Sequence, residues 1–381
     1  MDSRRVRVVA AGDINLGRDV SRVIRERGAD HPLSGVRDVM LDADLRIANL
    51  ECVLTPPGRE VPPSMFQMCA PWAFAEGVAD LPIEVLFLAN NHILDHGAQA
   101  ARDTEEFCRS RSLLSVGFGA SPALAKTPRV VEINGLRIGF LAYVEDFPLL
   151  RRKHSPGPAY LPADPRDAVM EVRRARETVD TLVVSLHGDL EFETMPSPWR
   201  VALSRDLADA GADLVLAHHP HVPQGLERRG RSLIAYSLGN FIFDVQTRRY
   251  MSEGSPYTGR SVLLQVELGA EGVVDWSLVP YEIDETHRPV VMSAERGQGL
   301  LDDIARWSDD LADPGKVMAA WQSACTRQLD LGIRWIIEAQ QRGGRDEVLR
   351  VLEMFLYDGQ RHVGRQIYDW LQAGLPVGGV S

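Results

Sequence analysis

Short apolar runs recur along the chain at residues 6–10, 45–48, 85–89, 182–186, 214–217 and 233–236, with few polar interruptions. Runs of this length, without strict alternation, suit strands buried on both faces of a sheet that helices cover. Residues 19–26, 98–111, 165–178 and 199–210 lie between them and space their apolar side chains as helices do. Strands alternating with helices predict an α/β layered sheet. Two alternating runs between Ser261 and Ile283 flank Gly269-Ala270-Glu271-Gly272 and predict a hairpin.

After about Ser293 the apolar period becomes helical, with stripes over 300–307, 317–336 and 348–370. The chain therefore divides into a main domain, residues 1–292, and a C-terminal helical subdomain, residues 293–381. Trp307, Trp321, Trp335 and Trp370 fall in this tail and are expected to fill its core. The breaker-rich stretch from Thr55 to Pro63 reads as an exposed loop at the rim of whatever Glu51 serves. The segment from Glu145 to Pro162 carries Arg151-Arg152-Lys153-His154, which either brings positive charge to a bound anion or forms a solvated surface loop.

A length of 381 residues, 45% hydrophobic and 25% charged, is that of an ordinary globular protein. The net charge of -11 excludes broad nucleic-acid binding, which needs a basic face. Cys52, Cys69, Cys108 and Cys325 have no paired spacing, so neither a zinc ribbon nor a disulfide framework is expected. Residues 1–5 lead directly into the first strand, and no window approaches the roughly 20 apolar residues of a membrane span. The expectation is a cytoplasmic protein without a membrane span. No pattern specifies an oligomeric state.

Each of the six runs leads into residues of chemical interest. Asp13, Glu51, Asn91, His92, His187, His219 and His221 all follow closely on a predicted strand. Ligands gather at strand ends in such sheets, where polar groups escape the cost of core burial yet stay anchored. Carboxylates can bridge two cations, and imidazoles suit zinc, iron or manganese. In His219-Pro220-His221, an extended backbone would face both rings the same way. Asn91 offers an amide oxygen, and the adjacent His92 is left for proton transfer. Singly, Asp13 also reads as a helix cap, Asn91 as a turn former and His187 as a structural histidine. Together they predict one site holding two metal ions. Ser237 and Asn240 are expected to form a supporting turn; no Gly-x-Ser-x-Gly elbow surrounds Ser237, which excludes a serine nucleophile.

The stretches Gly12-Asp13, Asn49-Leu50-Glu51, Asn90-Asn91-His92 with Asp95 and Gly97, His187 with Glu191-Phe192, Gly211-Ala212-Asp213 leading to His218-His219-Pro220-His221, and Tyr236 to Phe241 appear in order. Over roughly residues 5–245 the chain resembles the CapA family, the poly-gamma-glutamate capsule biosynthesis proteins related to calcineurin-like metallophosphoesterases. The resemblance implies a four-layered α/β sandwich of metallophosphoesterase type around two divalent metal ions (Mn, Fe or Zn). By position, Asp13 and His221 would bind one metal; Asn91, His187 and His219 would bind the other; and Glu51 would stand at the bridging carboxylate. His92 would protonate the leaving group, with Asp95 orienting it. Two departures stand out: Asn15 replaces the histidine usual two residues after the first aspartate, and Gly188-Asp189 replaces an aromatic and glycine. Asp189 could add a ligand or face solvent.

The expected activity is metal-dependent hydrolysis, phosphoesterase-like in mechanism, of an anionic small-molecule or polyglutamate-like substrate. Two alternatives remain: a non-catalytic factor in polyglutamate assembly, and a metal-dependent amidase or tailoring enzyme on the same scaffold.

Overall fold

The computed structural model describes residues 4–59, 68–81, 83–145, 157–162 and 164–357. Its strands, in chain order, are β1 (Arg5–Ile14), β2 (Leu45–Leu50), β3 (Val53–Thr55), β4 (Cys69–Pro71), β5 (Val85–Phe87), β6 (Leu114–Val116), β7 (Arg129–Ile133), β8 (Leu136–Val144), β9 (Thr181–His187), β10 (Leu214–His218), β11 (Leu226–Arg229), β12 (Ser232–Ala235), β13 (Asn240–Ile242), β14 (Arg260–Gly269), β15 (Gly272–Ile283) and β16 (Pro289–Val291). One sheet runs β16-β15-β14-β1-β2-β5-β6, with β13 also paired to β1; a second runs β11-β12-β10-β9-β8-β7. β1, β2, β5 and β6 are parallel neighbours, as are β8, β9, β10 and β12.

The two-residue repeat of a strand separates the layers. On the second sheet, Phe140, Val183, Leu214, Leu216, Leu233 and Ala235 share a core with the first sheet. The alternate residues Leu141, Val184, Val215 and Ile234 pack instead with Ala168 and Val172 of helix Pro165–Arg176 and with Val201 and Leu207 of helix Pro198–Asp209. Helices Arg18–Arg27, Trp72–Asp80 and Gly97–Ser110 bury Val20, Ile24, Val78 and Phe107 against the first sheet. Helix, sheet, sheet, helix is the four-layered α/β sandwich that was expected. Both faces of the central strands are covered, which is why the apolar runs are continuous.

The four helices predicted between the strands lie within two residues of their observed bounds, and the hairpin forms where the glycine-flanked turn placed it. β1 continues past its apolar run to Ile14, so Asp13 sits within the paired strand, not after it. In the tail, helix Ala294–Asp310 sends Leu300, Ile304 and Trp307 into the main core, and Trp321 packs in a smaller cluster. Helix Pro314–Tyr357 breaks its regular geometry at Gly344, where φ is 61°. Trp370, Pro62-Pro63 and Arg151-Arg152-Lys153-His154 lie outside the described residues. The four cysteines are free. Among the described residues, no helix is long and apolar enough to cross a membrane.

Candidate metal centre

Register places the donors. Asp13 on β1 pairs with Asn49 on β2 and Asn240 on β13, while His187 and His218, the last residues of β9 and β10, lie opposite each other. Gly12 makes the pairing with β13 possible: a Cβ there would lie 1.9 Å from the Gly239 carbonyl oxygen. The Asp13 amide then donates to that same oxygen at 2.9 Å.

The structure brings Asp13, Glu51, His187, His219 and His221 to one buried place. Two overlapping trios, Glu51–His187–His219 and Asp13–Glu51–His221, each present ligand atoms within 4.8 Å of one another and share Glu51. Asn91 Oδ1 adjoins the first trio, 2.8 Å from His187 Nε2. The expected extended backbone at His219-Pro220-His221 is not found, because φ is 96° at His219 and 58° at His221. A left-handed turn aims the rings instead, and the His219 amide donates to Asp13 Oδ2 at 3.3 Å. Arg18, Asp189 and Phe192 also have positive φ, so backbone strain collects around the site.

Hydrogen bonds orient the rings. Asn240 Nδ2 donates to the carbonyls of His221 and Thr258, at 3.2 and 3.0 Å, which leaves Asn240 Oδ1 to accept from His221 Nδ1 at 2.9 Å. The free lone pair of His221 is then on Nε2, 3.8 Å from Glu51 Oε1. Asn49 Nδ2 donates to Asp13 Oδ1 at 2.8 Å, and His218 Nδ1 stands 3.2 Å from the same oxygen. His92 Nδ1 donates to Asp95 Oδ2 at 2.7 Å, an oxygen that also accepts the Met68 amide at 2.7 Å. Its Nε2 points inward, 3.9 Å from Glu51 Oε1.

Glu51 tests whether a cation fits. The residue is fully buried and neither carboxylate oxygen has a hydrogen-bond partner. Three imidazole nitrogens stand 3.7–3.9 Å from Oε1, beyond hydrogen-bond reach. Donors sharing one ion at ~2.1 Å sit roughly 3–3.5 Å apart, so modest contraction seats an ion there. Burial, then the Asp13 and Glu191 charges, push the Glu51 carboxyl well above the ordinary range. Burial holds His187 and His219 well below theirs and His221 at about 4. Burial raises Asp13, but His218, His221 and Asn49 outweigh it and leave it lowered. Neutral imidazoles around an uncompensated carboxylate are the donor set a divalent cation needs.

Other positions resolve differently. Asn15 donates to Asp244 Oδ1 at 3.3 Å and accepts the Gly17 amide at 2.9 Å. Asp189 Oδ2 accepts the Ser197 amide at 2.8 Å, at the start of helix Pro198–Asp209. The Ser237 hydroxyl donates to the Val222 carbonyl at 2.6 Å, within the supporting turn. His31 pairs with Thr286, and His287 is buried. Residues given no role beforehand also matter: Asn49 and His218 hold Asp13, and Arg18 forms a buried ion pair with Asp244 at 2.9 Å over the Phe243 ring. Adjacency to Glu51 and His219 signalled the first two. Nothing local signalled a pair 226 residues apart (244 − 18).

Residues 7–245 match the family described as "Bacterial capsule synthesis protein PGA_cap". "Capsule biosynthesis protein CapA" of Bacillus anthracis is 28% identical, over 78% of this chain and 72% of that protein. "PGA biosynthesis protein CapA" of Bacillus subtilis (strain 168) is 29% identical, over 78% and 77%. Among solved structures, a 5'-nucleotidase precursor from Thermus thermophilus aligns with a TM-score of 0.42 at 13% identity, over 79% of this chain and 58% of that one.

Proposed function

Because this chain belongs to the bacterial capsule synthesis PGA_cap family, we propose that it is a hydrolase dependent on two divalent metal ions, acting on an anionic small-molecule or polyglutamate-like substrate in the cytoplasm. Glu51 carries the proposal: a buried carboxylate without a hydrogen bond, shared by two trios of potential ligands. Asp13 and His221 would hold one ion, Asn91, His187 and His219 the other, and Glu51 both. Manganese, iron and zinc all suit this mixed oxygen and nitrogen set. When bound, such ions supply Lewis acidity, acidifying the attacking water and steadying negative charge in the transition state.

The chain's own residues do the rest. Asp95 is fixed as an acceptor by the Met68 amide, so it holds the proton on His92 Nδ1 and stabilises the imidazolium. His92 Nε2 then faces the centre with a proton for the leaving group. The burial of Asp13, His187 and His221 excludes water from the ligands. Residues 1–292 form the catalytic domain in this proposal, and 293–381 a helical subdomain whose first helix shares the main core.

The names of the relatives favour a second reading, a non-catalytic factor in polyglutamate assembly. A "probable polyglutamine synthesis accessory protein" of Mycobacterium tuberculosis, 30% identical over 42% of this chain, points the same way. Metal-reconstituted protein tested on phosphate esters, gamma-glutamyl amides and polyglutamate separates the possibilities. Phosphate release supports the phosphoesterase, amine release an amidase on the same centre, and retention of polyglutamate without turnover the binding factor.

A further inference from the structure

The two halves of the proposed centre are unequally supplied. Glu51, His187 and His219 are joined by Asn91, making four donors, whereas Asp13, Glu51 and His221 make three. Asn15, which directly follows β1, is turned to Asp244 and the Gly17 amide, so it does not supply the fourth. Among the described residues, Glu191 brings a further carboxylate within reach: it forms a third trio with His219 and His221, its Oε1 4.0 Å from His219 Nε2. Those two histidines belong one to each half. Its side chain is 39% exposed, so this carboxylate stands on the solvent-facing side while Glu51 is sealed inside.

The loop carrying Glu191 is held at both flanks. The Phe192 amide donates to the Pro220 carbonyl at 2.8 Å, which ties the loop to the histidine turn itself. Leu190 packs with Trp321, Ala324 and Cys325 of helix Pro314–Tyr357. Glu193 forms an ion pair with Arg327 of the same helix, and its carbonyl accepts Gln224 Nε2 at 2.7 Å. The residues flanking Glu191 are thus fastened to the C-terminal helix and to the histidine turn.

We propose that Glu191 is an additional carboxylate ligand of the metal pair, and that the C-terminal helix positions it through Leu190 and Glu193. This rests on the two-metal proposal above and assigns the helix a task within the site. A carboxylate there also lowers the net positive charge that meets an incoming anion, which favours release of an anionic product.

Calorimetric titration of chelator-stripped protein with Mn(II) tests it without any substrate. Wild type is expected to bind in two steps; Glu191→Gln is expected to weaken one step by at least about tenfold, the low end for disturbing a metal's supporting shell. Arg327→Ala is expected to weaken the same step in smaller measure, while Glu106→Gln, on an exposed helix face away from the site, leaves both unchanged. Equal affinities for Glu191→Gln and wild type overturn the ligand assignment while leaving the two-metal centre standing. Unchanged affinities for Arg327→Ala overturn the helix's role. No Mn(II) binding by wild type overturns both this proposal and the hydrolase on which it rests.

Discussion

His92 Nδ1 lies 2.7 Å from Asp95 Oδ2 within the turn that precedes helix Gly97–Ser110, and that bond turns the opposite ring nitrogen toward the buried Glu51. An imidazole oriented in this way is useful only if its inward face meets something that takes or gives a proton. Replacing His92 with Asn should therefore lower kcat by about 10²–10⁴-fold with little change in metal content, and Asp95→Asn should lower it less. Steady-state kinetics beside elemental analysis checks both.

The Glu51 carboxyl is a cost to the metal-free protein. Its folded pKa is raised above the ordinary 4.5, so its contribution to stability is full below that value and is lost as pH rises through the folded value. In chelator at neutral pH, Glu51→Gln should be more stable than wild type by about 1–3 kcal/mol, the scale of an unpaired buried polar group. With metal present the order should reverse. Denaturant unfolding with and without metal measures each sign.

Histidine burial acts at the other end of the pH scale. The folded pKa of His221 is depressed from 6.5 to about 4, and those of His187 and His219 are also lowered. Stability from these neutral rings is present above about 6.5 and lost as pH falls through the folded values. Metal-free protein should accordingly unfold at lower denaturant as pH drops from 6.5 toward 4. Glu51→Gln should keep this acid arm while losing the alkaline one.

Gly12 should not tolerate a side chain. An added Cβ meets the Gly239 carbonyl oxygen at 1.9 Å and the Leu238 carbonyl oxygen at 2.7 Å, both backbone atoms that cannot swing away. Gly12→Ala should cost about 3 kcal/mol or more and shift Asp13, weakening metal binding as well as the fold. Thermal unfolding in chelator isolates the first effect.

Much of this was legible in the residues. Continuous apolar runs located the inner strands because both faces are covered, and the chemistry-bearing residues stood at their ends because parallel strands deliver their loops to one edge. Backbone conformation at His219 and His221 was not legible: two left-handed residues around a proline carry no periodic signature, so the rings converge by a turn where an extended segment was expected. Nor was the Arg18–Asp244 pair, since charge complementarity between distant segments leaves no local pattern. The fastening of Leu190 and Glu193 to Trp321 and Arg327 was hidden for the same reason, although the apolar stripe of that helix announced that something would be packed against it.

The central claim is that Glu51 joins two ions, and electron paramagnetic resonance of the chelator-stripped protein reloaded with Mn(II) tests it most directly. Wild type should give an exchange-coupled spectrum, and Glu51→Gln the signal of isolated ions. An uncoupled spectrum from fully loaded wild type, or one that Glu51→Gln leaves unaltered, would contradict the account.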